Sequence, residues 1–223
     1  MTSKVTALKS STAPGDSPKR AIVVTPPNTI VAAVGVIATS PYIQNRFSSA
    51  NRQKIEEQQR EGSSQKKKRR AKPPKDFKAV YEGSRHVSNE GWDGIPCSAF
   101  RDAMINATRS LEVDMIRTKM FIRILADGYD KEDHTPLVRI TKGKPRMDIR
   151  PVRIGMNQSD LAARAMFDQW EASIRIEWDG DIFQASDIVN LLARAGKYVG
   201  IGAGRQLSKN SAGMGMGFFE VKV

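Results

Sequence analysis

One cysteine, Cys97, stands in 223 residues, which leaves no internal disulfide and no thiolate-rich zinc site. The chain suits a reducing compartment, and a cytoplasmic location is expected. Long apolar runs are missing as well. Residues 22–43 come nearest, but Pro26, Pro27, Asn28, Thr39, Ser40 and Pro41 cut that stretch well short of the about 18 apolar residues a membrane span needs. Lys4, Lys9, Lys19 and Arg20 are spread among Ser, Thr and Pro without the apolar stretch of a secretion signal. No amphipathic basic helix stands out, so no membrane partner is expected. Aromatic residues make up only 7% of the chain, and a domain of this size needs most of them inside. Acidic charge is the last shortage: 24 Asp and Glu face 36 Lys and Arg, a net charge of +12. Such a surface attracts polyanions, of which nucleic acid is the commonest.

What is present reads as one α+β domain with flexible additions. The 39% apolar content is enough for a single core. Residues 1–20, rich in Ser, Thr, Pro and Lys, bury too little to offset their ordering entropy and are expected to form a disordered basic tail. The domain then occupies 21–223. Its first element is a β-branched run, Thr29 to Ala38, expected as a central strand covered on both faces. A polar helix follows from about Ser48 to Arg60. Residues 62–76 carry a like-charge block that repels itself, Lys66, Lys67, Lys68, Arg69 and Arg70 with Lys72 and Lys75, and are expected as a flexible basic linker.

Order should resume near Phe77. Phe100, Ala103, Met104, Ala107 and Leu111 recur at three- and four-residue spacing after Pro96 and Ser98, the pattern of a helix with one buried face. A strand is expected over Met120 to Leu125. The extended runs Leu137 to Thr141 and Met147 to Ile154 flank Lys142-Gly143-Lys144-Pro145, a spacing that predicts a hairpin with Arg139, Lys142, Lys144, Arg146, Arg150 and Arg153 on it. Alternation from Trp170 to Trp178 predicts a half-buried strand. Ser186 is the expected cap, and Gly196 the expected stop, of a helix with Ile188, Leu191, Leu192 and Ala195 inside. A glycine-rich passage, Gly200 to Gly217, leads into a last strand. The order β, α, β, hairpin, β, α, glycine loop, β fits an antiparallel sheet with two helices on one face.

The glycine passage is the most unusual feature. Gly202, Gly204, Gly213 and Gly215 would let main-chain N–H groups approach a phosphate closely, and Arg205 and Lys209 would add charge. It is not a nucleotide loop: both nucleotide fingerprints need a helix after the glycines, and here a strand follows. The expected nucleic-acid contacts are this loop, Arg139, Lys142, Lys144 and Arg146, and the block Lys66 to Arg70, whose clustered cations would release counterions on binding.

Three local patterns carry a resemblance. Gly94-Ile95-Pro96-Cys97-Ser98-Ala99-Phe100-Arg101-Asp102-Ala103 resembles the Ile-Pro-x-Ser helix start of the RAMP superfamily of RNA-binding proteins, which includes backbone subunits of CRISPR effector complexes. Gly200 to Gly217 resembles its glycine-rich loop between last helix and last strand, and the early strand ending at Ser40-Pro41 is similar to its first strand. The resemblance implies a ferredoxin-like, RRM-like βαββαβ core gripping an RNA backbone, with Arg101 near phosphates and the 137–154 hairpin as a thumb-like insertion. The chain is shorter than most backbone subunits and its lysine-rich linker is not a family feature, so a stand-alone or phage-encoded relative is as much implied as a subunit of a CRISPR complex.

The resulting expectation is non-catalytic binding of single-stranded RNA or DNA, RNA favoured, with copies able to line up along the strand and no cofactor. One alternative is a metal-independent endoribonuclease using His86 or His134, although both read as solvated loop histidines. Another is a phage structural or assembly protein with a basic arm. Asp127, Asp130, Glu132, Asp133 and His134 read as an exposed acidic turn rather than a metal site, since the EF-hand ligand order is missing. Cys97 reads as a packing residue. Trp92, Trp170, Phe218 and Phe219 could stack on bases but read mainly as core.

Overall fold

The computed structural model describes residues 24–61, 74–155, 158–208 and 213–222. The expected tail at 1–20 lies outside the described residues, as do Lys66 to Arg70 of the linker and Lys209 of the glycine passage. In chain order the elements are β1 (Thr29–Ala38), β2 (Tyr42–Ile43), α1 (Ser49–Glu61), α2 (Phe77–Ser84), β3 (Gly94–Pro96), α3 (Cys97–Ala107), α4 (Met115–Phe121), β4 (Ile122–Leu125), β5 (Gly128–Tyr129), β6 (Pro136–Lys142), β7 (Arg146–Gly155), β8 (Gln158–Phe167), β9 (Glu171–Asp179), α5 (Ala185–Arg194) and β10 (Phe219–Val221). This is an α+β fold with antiparallel sheets. The larger sheet runs β10-β1-β9-β6-β3, with β4 also paired to β9 and β5 to β6; the smaller runs β2-β8-β7.

Strand periodicity builds the core. Val36 and Ala38 of β1, Ala172, Ile174, Ile176 and Trp178 of β9, Ile122 and Ile124 of β4 and Phe219 of β10 fall on one face of the large sheet and are buried. Against them lie Phe100, Ala103, Met104 and Ala107 of α3 and Ile188, Leu191 and Leu192 of α5. Rings at one end tie the layers together, with Trp170 5.9 Å from both Tyr42 and Phe219 and Phe100 5.6 Å from Phe219. Cys97 is a packing residue, 6% exposed, and burial pushes its thiol up to about 11.

Several expectations need correction. β1 is central in the sheet but covered on one face only: Val31 is 52% and Ile37 36% exposed on the other. The hairpin expected over 137–154 does not form. β6 pairs with β9, β3 and β5, whereas β7 pairs with β8, from Arg146↔Met166 to Gly155↔Gln158. Gly143 explains the split, since at φ +125 it passes the main chain of Gln169 where a Cβ would lie 2.4 Å from the carbonyl oxygen. The chain thus leaves one sheet for the other between β6 and β7. Residues 115–121 form a helix capped by Asp114, which accepts from the Ile116 N–H at 2.8 Å, so the strand expected from Met120 begins at Ile122. The cap of α5 is Gln184, not Ser186: Asp187 reaches back to accept its N–H at 3.0 Å. Gly196 does not stop that helix. It lies in a π-helical turn, Ala195–Val199, where β10 comes so close that a Cβ would meet the Phe219 carbonyl at 2.1 Å. The last residues of the expected linker are ordered: Asp76 caps α2 by accepting from Lys78 and Ala79, and Lys75 pairs with Asp160 at 2.9 Å.

Candidate nucleic-acid interface

Alternation along β7 puts Arg146, Asp148 and Arg150 on one face, opposite Met166, Arg164 and Ala162 of β8. Arg146 forms a fork with Asp168, Nε to Oδ2 at 2.6 Å and Nη2 to Oδ1 at 2.9 Å. Arg150 forms another with Asp148, Nη2 to Oδ1 at 2.8 Å and Nε to Oδ2. Arg164 is poorly served. Its Nε is buried without an acceptor among the described residues, and burial, then the Arg150 charge, lower its pKa from the ordinary arginine value. A buried donor without an acceptor costs its desolvation, about 1–3 kcal/mol, so this Nε stands to gain from any acceptor that a local rearrangement brings to it.

The glycine passage adjoins that face. Arg150 Nη1 lies 3.8 Å from the Met214 sulfur, and Arg146 and Arg150 each place Nη2 3.7 Å from the Met166 sulfur. Met214 folds over Gly204, where a Cβ would meet its methyl at 2.8 Å. All six described glycines of the passage from Gly200 to Gly217 have positive φ, between 67° and 77°. The loop is less bare than its composition suggests. Ile201 N–H donates to Gly217 O, Ala203 N–H to Ile43 O, Gly217 N–H to Pro41 O, and Met214 and Met216 N–H both to Gly204 O. The N–H groups of Gly202, Gly204 and Gly215 have no partner among the described residues. Arg205 is exposed and donates to Gly202 O at 3.1 Å.

The expected site residues therefore divide. Arg146 joins Gly202, Gly204, Arg205, Gly213 and Gly215 in one region, with Gly213 folded against the Arg205 carbonyl. Lys144 is exposed in the connection leading into β7. Lys142 shares the Glu171 carboxylate with Lys222 on the open face of the large sheet. Arg139 sits over the Trp92 ring at 5.8 Å, and β9 and β1 separate its strand from β10. Arg101 spends its donors on main chain, Nε to Ile122 O at 3.1 Å and Nη2 to Lys119 O, holding the α4–β4 junction to α3. Arg150, Asp148 and Arg164 belong to this face although they are not among the contacts expected from sequence. The spacing of residues 146, 148 and 150 is the signal for the first two; nothing marks residue 164, because the alanine-rich stretch 158–167 has no strand rhythm of its own.

The open face of the large sheet carries Val31, Ala33, Gly35 and Ile37 of β1 beside Ser173, Arg175 and Glu177 of β9. Arg123 pairs there with Glu177 at 2.8 Å and Arg175 with Asp127 at 3.1 Å. None of these residues is aromatic, and Trp170 and Phe219 are in the core. Rings nearer the surface lie at the margins of this sheet: Tyr129 of β5 is 53% exposed, and Trp92, beneath the Arg139 guanidinium, and Phe218 are half-buried.

A second polar cluster corrects the expected exposed turn and solvated histidine. Asp130 is fully buried, and His86 is 8% exposed. His86 Nδ1 lies 3.1 Å from Asp130 Oδ2, and Arg46 Nη1 lies 3.3 Å from Asp130 Oδ1 while its Nη2 meets Glu132 at 2.8 Å. Gln44 accepts the His86 N–H at 3.0 Å and donates to Gly94 O at 2.8 Å. Burial holds the His86 pKa below 6.5 despite the carboxylate beside it. His134 is exposed, at φ 56°. No group of three or more His, Cys, Asp or Glu among the described residues is arranged to hold a metal ion. No helix among them is long and apolar enough to cross a membrane. In comparison with known proteins, the chain matches no protein-family model and no curated protein sequence.

Proposed function

We propose that this protein binds single-stranded nucleic acid, RNA before DNA, by its sugar–phosphate backbone and without cutting it, in the cytoplasm. The observation that carries this reading is the meeting of the Arg146, Arg150 and Arg164 face with a glycine loop that keeps three unpaired amides. Guanidinium forks and free main-chain N–H groups are the donors a phosphodiester accepts from. The centre of the open sheet face, where β1 lies beside β9, carries no ring, which favours backbone grip over base stacking there. The strand order β10-β1-β9-β4, with α3 between β1 and β4 and α5 between β9 and β10, is the order a ferredoxin-like, RRM-like domain would have, and the contact of α3 with α5 suits two helices on one face. A RAMP relationship belongs to the same proposal, with the insertion role passing from the expected 137–154 hairpin to β7 and β8.

The test is fluorescence anisotropy with a labelled single-stranded 20-mer. R146A/R150A should weaken binding by about tenfold or more, as expected for charge-assisted hydrogen bonds. R139A and R101A should change it by no more than about twofold, the scale of an exposed charge. Equal losses for all the variants, or an absence of binding by the unaltered protein, would overturn the reading.

A second reading, metal-independent RNA cleavage by His86, is favoured by the carboxylate that orients its imidazole through Nδ1 and by an Nε2 without a partner among the described residues. Labelled RNA that stays intact in EDTA at high protein concentration would eliminate it.

A further inference from the structure

Asp148 is the least exposed of the two carboxylates in the arginine cluster, its side chain 12% exposed against 54% for Asp168. Both its oxygens are taken by Arg150, and Arg146 Nη1 stands 4.0 Å away. This bidentate grip is the one a guanidinium gives the two non-bridging oxygens of a phosphodiester. Directly across the strand pair from Asp148 is Arg164, whose buried Nε has no acceptor among the described residues.

We propose that Asp148 is a resident counter-ion standing where a backbone phosphate would stand, and that it makes the site accept a continuous polynucleotide while refusing isolated phosphates. The proposal rests on the nucleic-acid reading above. Three guanidiniums and two carboxylates leave the cluster with little net attraction for a single anion. Any phosphate must first break the Asp148–Arg150 fork. A lone phosphate gains one fork for the one it breaks. A strand offers further phosphates to Arg146, Arg205 and the free amides of Gly202, Gly204 and Gly215 in the same event, so displacement is favourable for it alone. The displaced carboxylate has a destination: cross-strand neighbours stand about 5 Å apart at Cβ, so Asp148 turns from Arg150 towards the unserved Nε of Arg164. The buried donor and the displaced acceptor then satisfy each other.

The experiment compares D148N with E177Q, which removes the same charge from the open sheet face. Each protein is titrated with a single-stranded 20-mer and with inorganic phosphate. D148N should bind the 20-mer about tenfold more tightly, the value of one charge-assisted hydrogen bond. Its slope of log affinity against log salt should steepen by about 0.7, one further phosphate neutralised. Inorganic phosphate should compete with the 20-mer on D148N and fail to do so on the unaltered protein. E177Q should change affinity by less than about twofold. Unchanged or weaker binding by a folded D148N, beside an unaltered protein that binds, overturns the counter-ion role and leaves the nucleic-acid reading standing. An unaltered protein that binds no strand overturns both. Should D148N fail to fold, the unaltered protein decides: the Nε–H resonances of Arg150 and Arg164 must shift on adding the 20-mer and stay still with inorganic phosphate. Immobility of both resonances with the 20-mer overturns the proposal.

Discussion

At His86 the imidazole gains a carboxylate partner and loses its water, and the loss of water prevails: its pKa falls below 6.5. A histidine held neutral in the folded state binds fewer protons than it does in the unfolded chain. Its contribution to stability is therefore fully present above 6.5 and is lost as pH drops through the lower folded value. Denaturant midpoints measured at steps below pH 6.5 should fall for the unaltered protein, and H86Q, though less stable overall, should lack that part of the decline. Nothing in the residues around His86 announces this, because Gln44, Arg46 and Asp130 come from segments 42 to 84 positions apart. At Arg146 and Arg150 the local sequence is more informative: a period of two on a strand is enough to set them side by side. The pairing of Asp148 with Arg150 follows from the same period.

Elements with a strong internal rhythm were legible. α3 and α5 carry apolar residues at three- and four-residue spacing, and β9 alternates without a break, so their buried faces are those expected. β8 was not legible. Its Leu161-Ala162-Ala163-Arg164-Ala165-Met166 favours helix by intrinsic preference, and it is a strand because β7 pairs with it over nine residue pairs. Ala163 and Ala165 are fully buried, where β8 packs closely against α2. β6 and β7 were legible as strands but not as members of separate sheets, since a short Gly-Pro connection reads as a hairpin whenever both flanks are extended. The glycine passage was recognised as a close-approach loop, and what it approaches is largely the protein itself. At Gly217, with φ +74°, a Cβ would come 1.9 Å from the Ile201 carbonyl oxygen. G217A should cost more than about 3 kcal/mol in chemical unfolding, from backbone strain and the forced separation of the two loop strands. G91A is the comparison: φ is again positive, +88°, but no atom lies within 4 Å, so only the conformational cost of about 1–2 kcal/mol is expected.

For the whole molecule the governing quantity is the net charge of +12. A chain that neutralises about six phosphates of a single strand should show log affinity falling with log salt at a slope near −4. Anisotropy titrations between 50 and 300 mM salt would measure it, and affinity independent of salt would rule out backbone binding. Long-range attraction of this kind draws in any polyanion, so it cannot by itself distinguish a phosphodiester strand from another acid surface. That distinction falls to the local arrangement of forks and amides.

The sequence by itself determined the α+β class, the helices and strands with an unbroken apolar rhythm, the excess of positive charge and the existence of a glycine-rich loop before the last strand. These follow from interactions between near neighbours in the chain or from simple totals. Only the tertiary structure decided which arginines meet the loop, that β6 and β7 part company, that one face of β1 is open, and that Asp130 and His86 are buried together. Each of these depends on segments far apart in sequence, and strand pairing and ion pairing across such distances are chosen by packing of the whole chain rather than by any local preference.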